Sequence, residues 1–167
     1  MLAARHPDSV GKLMVVDMIP FMGAMFGAPG ATAESVAPMA DQIYTAMSAT
    51  PREQYQQQAD AQVVAMINTE SLRAGPLEDS RKSDQQVSSS AYRELIVTDL
   101  RPELGRITAP TTVLYVRFND PRMTNDMVDG IYRASFANLP GATLTRIDDS
   151  AHFIMLDQPA RFAAEVN

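Results

Sequence analysis

The chain has 167 residues, 46% hydrophobic and 20% charged, with a formal net charge of −6. This is the profile of a globular domain able to bury its own core, and the acidic balance argues against a nucleic-acid partner, which needs clustered Lys and Arg. There is no cysteine, so disulfides, thiolate nucleophiles and cysteine zinc sites are excluded, and a cytoplasmic location is the simplest expectation.

The opening MLAARHPDSV has no apolar core of signal-peptide length. Residues 1–6 read as a helix end, broken by Pro7 and Asp8. GKLMVVD, residues 11–17, is a nearly continuous apolar run, the pattern of a strand buried on both faces of a parallel sheet. The weakly polar stretch from residue 13 to 31 is interrupted by Asp17 and Pro20. A membrane span needs about 20 mostly apolar residues, so no membrane segment is expected, and residues 18–31 read as an apolar loop. Six of the 11 methionines lie between Met14 and Met47. Their flexible thioethers suit either core packing or an adaptable apolar channel.

Three helices follow. The first covers 33–48, with Val36, Met39, Ile43 and Met47 on one stripe. The second covers 51–67, where Thr50-Pro51-Arg52-Glu53 has the form of a capping box. Residues 70–84 are polar and read as turns. The third helix covers 84–99, with Tyr92, Leu95 and Ile96 apolar. TTVLYVRF, residues 111–118, is the second strand, stopped by Asn119-Asp120-Pro121. Thr124 caps a helix over 125–138 that places Met127, Val128, Ile131 and Tyr132 on an apolar face. Pro140-Gly141 is a turn, 142–148 alternates as a third strand, and a final helix starts near 158. Strands alternating with helices predict an α/β fold with a short, mainly parallel sheet of about three strands.

The chain has two histidines. His152 stands in IDDSAHFIMLDQPARF, between a polar turn and an apolar run. His6 ends a helix and reads as a C-terminal cap, where a cation suits the dipole. No His-x-x-x-His spacing supports a metal site, and neither a metal nor another cofactor is expected. Ser150 reads as a turn residue and the serines of SSSAY, residues 88–92, as a solvated helix face. A serine without an adjacent base is a weak nucleophile.

In order and spacing these segments resemble the α/β-hydrolase fold enzymes. AARHPDSVGKLMVVD is similar to that family's helix after the nucleophile turn and the following strand. LRPELGRITAPTTVLYVRFND is similar to the strand bearing the triad acid. GATLTRIDDSAHFIMLDQPARF is similar to the last strand, histidine loop and final helix, with His-Phe-x-Met-x-x-x-Pro as the most specific phrase. The resemblance implies a partial α/β-hydrolase core in residues 1–31 and 100–167, with 32–99 as a helical lid. It places Asp120 at the acid position and His152 at the base position of a Ser-Asp-His triad. Asp148 and Asp149 are competing acids that precede His152 too closely for that geometry. The family's Gly-x-Ser-x-Gly nucleophile turn does not occur, and the matching segments correspond to the family's C-terminal half.

Three readings therefore stand. One is hydrolysis of small, mainly apolar ester-like substrates by the His-Asp pair without the usual serine, in one chain or in a site shared between subunits. Another is a non-catalytic module that binds an apolar ligand or partner. The third is a fragment active only with its missing N-terminal half. Because the nucleophile strand has no counterpart, the first strand, Lys12 to Asp17, is expected to lie at a sheet edge and to pair two copies into a homodimer.

Overall fold

In a computed structural model, described here over residues 1–27, 30–117 and 122–166, three short strands form one parallel sheet. They are β1 (Leu13–Val16), β2 (Thr111–Tyr115) and β3 (Thr143–Arg146), in the order β1-β2-β3. Leu13 lies opposite Thr111, and Thr112 opposite Thr143. The central strand is apolar on both faces because helices cover both. On one face Val113 and Tyr115 pack with Val128, Tyr132 and Phe136 of the 125–136 segment, and Val15 and Leu144 join them. On the other, Leu114 and Val116 pack with Ile147 and Ile154, joined by Met14, Val16 and Phe162. Val113 and Leu114 have no solvent exposure. Burial of such side chains contributes about 1.5–3 kcal/mol each.

The helices are α1 (Leu2–Arg5), α2 (Ala33–Ala49), α3 (Arg52–Ala65), α4 (Ala74–Lys82), α5 (Gln85–Val97), α6 (Asn125–Ser135), α7 (Ile154–Asp157) and α8 (Pro159–Val166). Among the described residues no helix is long and apolar enough to cross a membrane. The chain divides into two compact units. The sheet unit comprises Met1–Pro20, Met66–Thr69 and Leu100–Asn167; the helical unit comprises Phe21–Ala65 and Glu70–Asp99. Within the helical unit, Phe21, Ala31, Val36, Ala40 and Ile96 form the core. Gly23 sits so close to it that a Cβ there would lie 2.5 Å from the Ile96 carbonyl oxygen and 2.6 Å from the Phe21 ring.

Three local expectations need correction. Residues 74–82 form α4 rather than turns. Gly75, Pro76 and a polar composition conceal this helix, which buries no residue and is tied by the Arg81–Asp60 and Lys82–Glu78 ion pairs. Thr50 does not cap α3. Its hydroxyl donates to the Ala46 carbonyl at 2.7 Å, so it closes α2, and the capping box of this region is Thr32–Ser35 at the start of α2. Within SSSAY, Ser89 is fully buried and donates its hydroxyl to the Gln85 carbonyl at 2.7 Å, which lets a polar side chain face the interior without an orphaned group. Thr124 does cap α6, accepting from the Met127 N–H. Gly141, with φ 73°, supplies the left-handed turn into β3.

Candidate active site

β1 ends at Val16, and the next residue, Asp17, turns with φ 46°. Its N–H still donates to the Leu114 carbonyl at 2.7 Å, so the ladder holds the backbone while the side chain turns inward at the carboxyl end of the sheet. Ligand sites in open parallel sheets gather at that end. The Asp17 side chain is 0% exposed. A buried carboxylate needs compensating donors, and Asp17 has three. Oδ1 accepts from the Val116 N–H at 3.1 Å and from the Tyr132 hydroxyl at 3.0 Å. Oδ2 lies 2.8 Å from Nδ1 of His152.

His152 reaches this carboxylate from the loop after β3. The Ile147 N–H donates to the Tyr115 carbonyl at 2.8 Å and extends the pairing past the strand. The chain then reverses at Asp149, φ 58°. Aspartate tolerates this region better than most residues, and two such residues flanking one imidazole fit the tendency of backbone strain to gather at functional sites. Ser150 is buried and donates its hydroxyl to the Ala151 carbonyl at 2.9 Å, the bond of a turn residue. The loop is closed by Asp157 at the end of α7. Its Oδ2 accepts from the Ala151 N–H at 2.9 Å and the Asn68 N–H at 3.1 Å, and its Oδ1 from the Thr69 N–H at 2.8 Å. The Phe153 N–H donates to the Met66 carbonyl at 3.2 Å. Burial alone would raise the Asp157 carboxyl, but these donors outweigh it and hold the group below the usual carboxylate range.

The His152 side chain is 28% exposed, and Nε2 has no hydrogen-bond partner among the described residues. A carboxylate on Nδ1 keeps that nitrogen protonated and leaves Nε2 as the proton acceptor. Such an arrangement can supply a general base with an orienting acid. Of the two residues predicted from sequence, His152 is at its centre and Asp120 lies outside the described residues. Asp148 pairs with Arg146 Nε at 3.1 Å and is 68% exposed. His6 ends α1, its N–H donating to the Leu2 carbonyl at 2.8 Å.

Sequence reasoning missed Asp17, Tyr132 and Asp157. For Asp17 a signal existed: an acid directly after a buried parallel strand, where side chains project into the crevice. Tyr132 read as one more apolar position on its helix. Nothing in the sequence marks Asp157 as an acceptor for three amides.

No family model matches the sequence, and a search of curated proteins gives no match. Solved structures do match. The enol-lactonase from Burkholderia xenovorans LB400 aligns with 99% of this chain at a TM-score of 0.66 and 20% identity. The esterase EaEST from Exiguobacterium antarcticum aligns with 94% at 0.69 and 16% identity. MGS-M2, an alpha/beta hydrolase enzyme from a Medee basin deep-sea metagenome library, aligns with 98% at 0.62 and 14% identity. The chain spans only 58%, 56% and 57% of those three structures, respectively. At this level of identity the likeness concerns architecture: with its three-stranded parallel sheet flanked by helices, the chain has a partial α/β-hydrolase fold.

Proposed function

We propose that His152 is the general base of a hydrolase site acting on small, mainly apolar esters or related acyl compounds. The observation that carries this is the 2.8 Å contact between His152 Nδ1 and the buried Asp17 carboxylate. In the reaction, Nε2 takes the proton of the attacking hydroxyl or water, and Asp17 stabilises the imidazolium that results. The proton then passes to the leaving group. The substrate class follows from the fold's neighbours, an enol-lactonase and an esterase among them, and that reading keeps residues 32–99 as the lid. Asp17 takes the acid role in this scheme, and Asp120, the candidate from sequence, is the competing assignment.

Turnover of a panel of activated esters by the pure protein tests the reading, with His152→Ala, Asp17→Asn and Asp120→Asn as comparisons. Loss on His152→Ala and Asp17→Asn supports it. Activity indifferent to His152→Ala rejects the base. Loss on Asp120→Asn but not Asp17→Asn moves the acid role to Asp120. No turnover above buffer rejects catalysis by the chain alone and favours a binding module.

A second reading places the site between two copies of the chain. It rests on β1, which is the outermost strand of the sheet among the described residues. The N–H groups of Leu13 and Asp17 donate toward β2, so by strand alternation those of Met14 and Val16 point outward. An unguarded edge of this kind pairs readily, and a two-fold axis would join two such edges. Light scattering at micromolar concentration is expected to give a dimer that Met14→Pro dissociates and Met14→Ala, the packing control, does not. A proline at Val15 would instead break the ladder to β2. A monomeric protein removes this reading.

A further inference from the structure

We propose that Tyr132 is a positioning residue that tempers the Asp17 carboxylate and thereby sets the basicity of His152. The inference rests on the His152–Asp17 pair proposed above and deepens it.

The two carboxylate oxygens are loaded unequally. Oδ2 meets the imidazole alone, whereas Oδ1 accepts both the Val116 N–H and the Tyr132 hydroxyl. An oxygen with two lone pairs is filled by two donors. Turning the carboxylate would break both bonds in a place where the side chain has no exposure and water cannot replace them. Oδ2 is therefore held on Nδ1 by what grips Oδ1.

The two donors differ in kind. Val116 offers a backbone amide fixed by the sheet. Tyr132 offers a phenol on α6, 115 positions from Asp17 in sequence, and its ring is clamped. It stacks on Tyr115 with centroids 4.1 Å apart and planes at 17°, and on Phe136 at 6.3 Å and 13°. Tyr115 is itself tied through its hydroxyl to Asp129 at 3.0 Å, and Asp129 accepts from Arg146 at 2.7 Å. Burial first, then the Asp17 charge, push the Tyr132 phenol far above its ordinary range, so the hydroxyl stays a donor at every working pH. Packing alone would be served by phenylalanine. The hydroxyl adds a neutral donor that draws charge from the carboxylate, and less charge facing Nδ1 means a less stabilised imidazolium. The other acids of the histidine loop and α7, Asp148, Asp149 and Asp157, make no bond to the Asp17 side chain among the described residues.

The test is the titration of the His152 imidazole by NMR, with His6, the other histidine of the chain, as internal reference. Tyr132→Phe is expected to raise the His152 pKa by about half to one unit, a roughly 3–10-fold gain in proton affinity. Asp17→Asn is expected to lower it. Replacing all tyrosines with 3-fluorotyrosine, a more acidic phenol and stronger donor, is expected to lower it too, and that shift should vanish when residue 132 is phenylalanine. A His152 titration that stays put or falls in Tyr132→Phe, while Asp17→Asn lowers it, overturns the role of Tyr132 and leaves the pair standing. A titration indifferent to Asp17→Asn overturns the pair and this inference with it. Should the phenylalanine variant fail to fold, the fluorotyrosine protein decides, and no shift there overturns the proposal.

Discussion

Asp17 and Asp157 occupy two ends of the same neighbourhood and are built alike, yet they do different things. Each is a carboxylate held by several hydrogen-bond donors. Those of Asp157 are the backbone amides of Ala151, Asn68 and Thr69, with the Thr69 side-chain hydroxyl beside them. Those of Asp17 are one amide, one phenol and one imidazole. Neither amides nor a threonine hydroxyl exchange charge with a carboxylate, so the bonds of Asp157 serve to hold the chain in place. The Asp17 donors include an imidazole, a side chain that can serve as acid or base, so a bond there can become a charge relationship. The identity of the donors, rather than their number, separates a structural carboxylate from one suited to the proposed chemistry.

The largest expected effect breaks that contrast at Asp17. An amide at this position retains an acceptor oxygen but cannot balance an imidazolium, and it permits the wrong tautomer of His152. Ester turnover in Asp17→Asn is expected to fall by about 10²–10⁴-fold, with the fold kept as judged by circular dichroism. A fall of less than tenfold would return the acid role to Asp120.

At Asp157 the expected loss is in stability. Asp157→Ala leaves the Ala151, Asn68 and Thr69 amides without their acceptor and is expected to cost about 1–3 kcal/mol, read by urea unfolding. Activity should fall only as far as the histidine loop loosens. The pH dependence has a definite sign. The folded carboxyl lies below its ordinary value of 3.8, so its contribution is complete above that pH and fades as pH falls through the lower folded value. Hydrogen exchange at the Ala151 amide should accelerate in that acid window in the wild type, and should lack that step in Asp157→Ala. An acid step common to both proteins would locate the sensitivity elsewhere.

The helical unit offers a control without any carboxylate. Gly23→Ala sets a methyl group 2.5 Å from the Ile96 carbonyl oxygen. Backbone cannot swing aside as a side-chain tip can, so a cost of about 1–3 kcal/mol is expected. An unchanged unfolding midpoint would show that this contact relaxes freely.

What could be read from the sequence, and what could not, follows the same division. The strands β1 and β2 fall inside apolar runs of the kind that burial on both sheet faces selects, β3 inside an alternating run, and α6 follows from its threonine cap and apolar stripe. Such signals are local. His152 stood out because a polar turn before an apolar run is also local. Asp17 and Tyr132 did not, since their roles exist only once residues 135 and 115 positions apart are brought together. An acid after a strand resembles a terminator, and a tyrosine on an apolar stripe resembles packing. α4 was hidden for the opposite reason: it buries no residue, so no apolar period announces it.

The smallest expected effect concerns Asp148, which lies four positions from His152 and is the acid that proximity in sequence would favour. Its carboxylate is 68% exposed and pairs with Arg146 Nε at 3.1 Å, while the same guanidinium donates through Nη1 to Asp129 at 2.7 Å. An exposed carboxylate is well solvated, and water screens its charge from the imidazole. Arg146 also keeps Asp129 as a second partner, so losing Asp148 leaves no cation without a counter-ion. Asp148→Asn is therefore expected to change ester turnover by less than about twofold and to leave the His152 titration where it is. A loss approaching that of Asp17→Asn would mean that the loop's own acid, rather than the buried one at the end of β1, governs the imidazole. The contrast between a carboxylate that structures the loop and one that charges the histidine would then have to be redrawn within the loop itself.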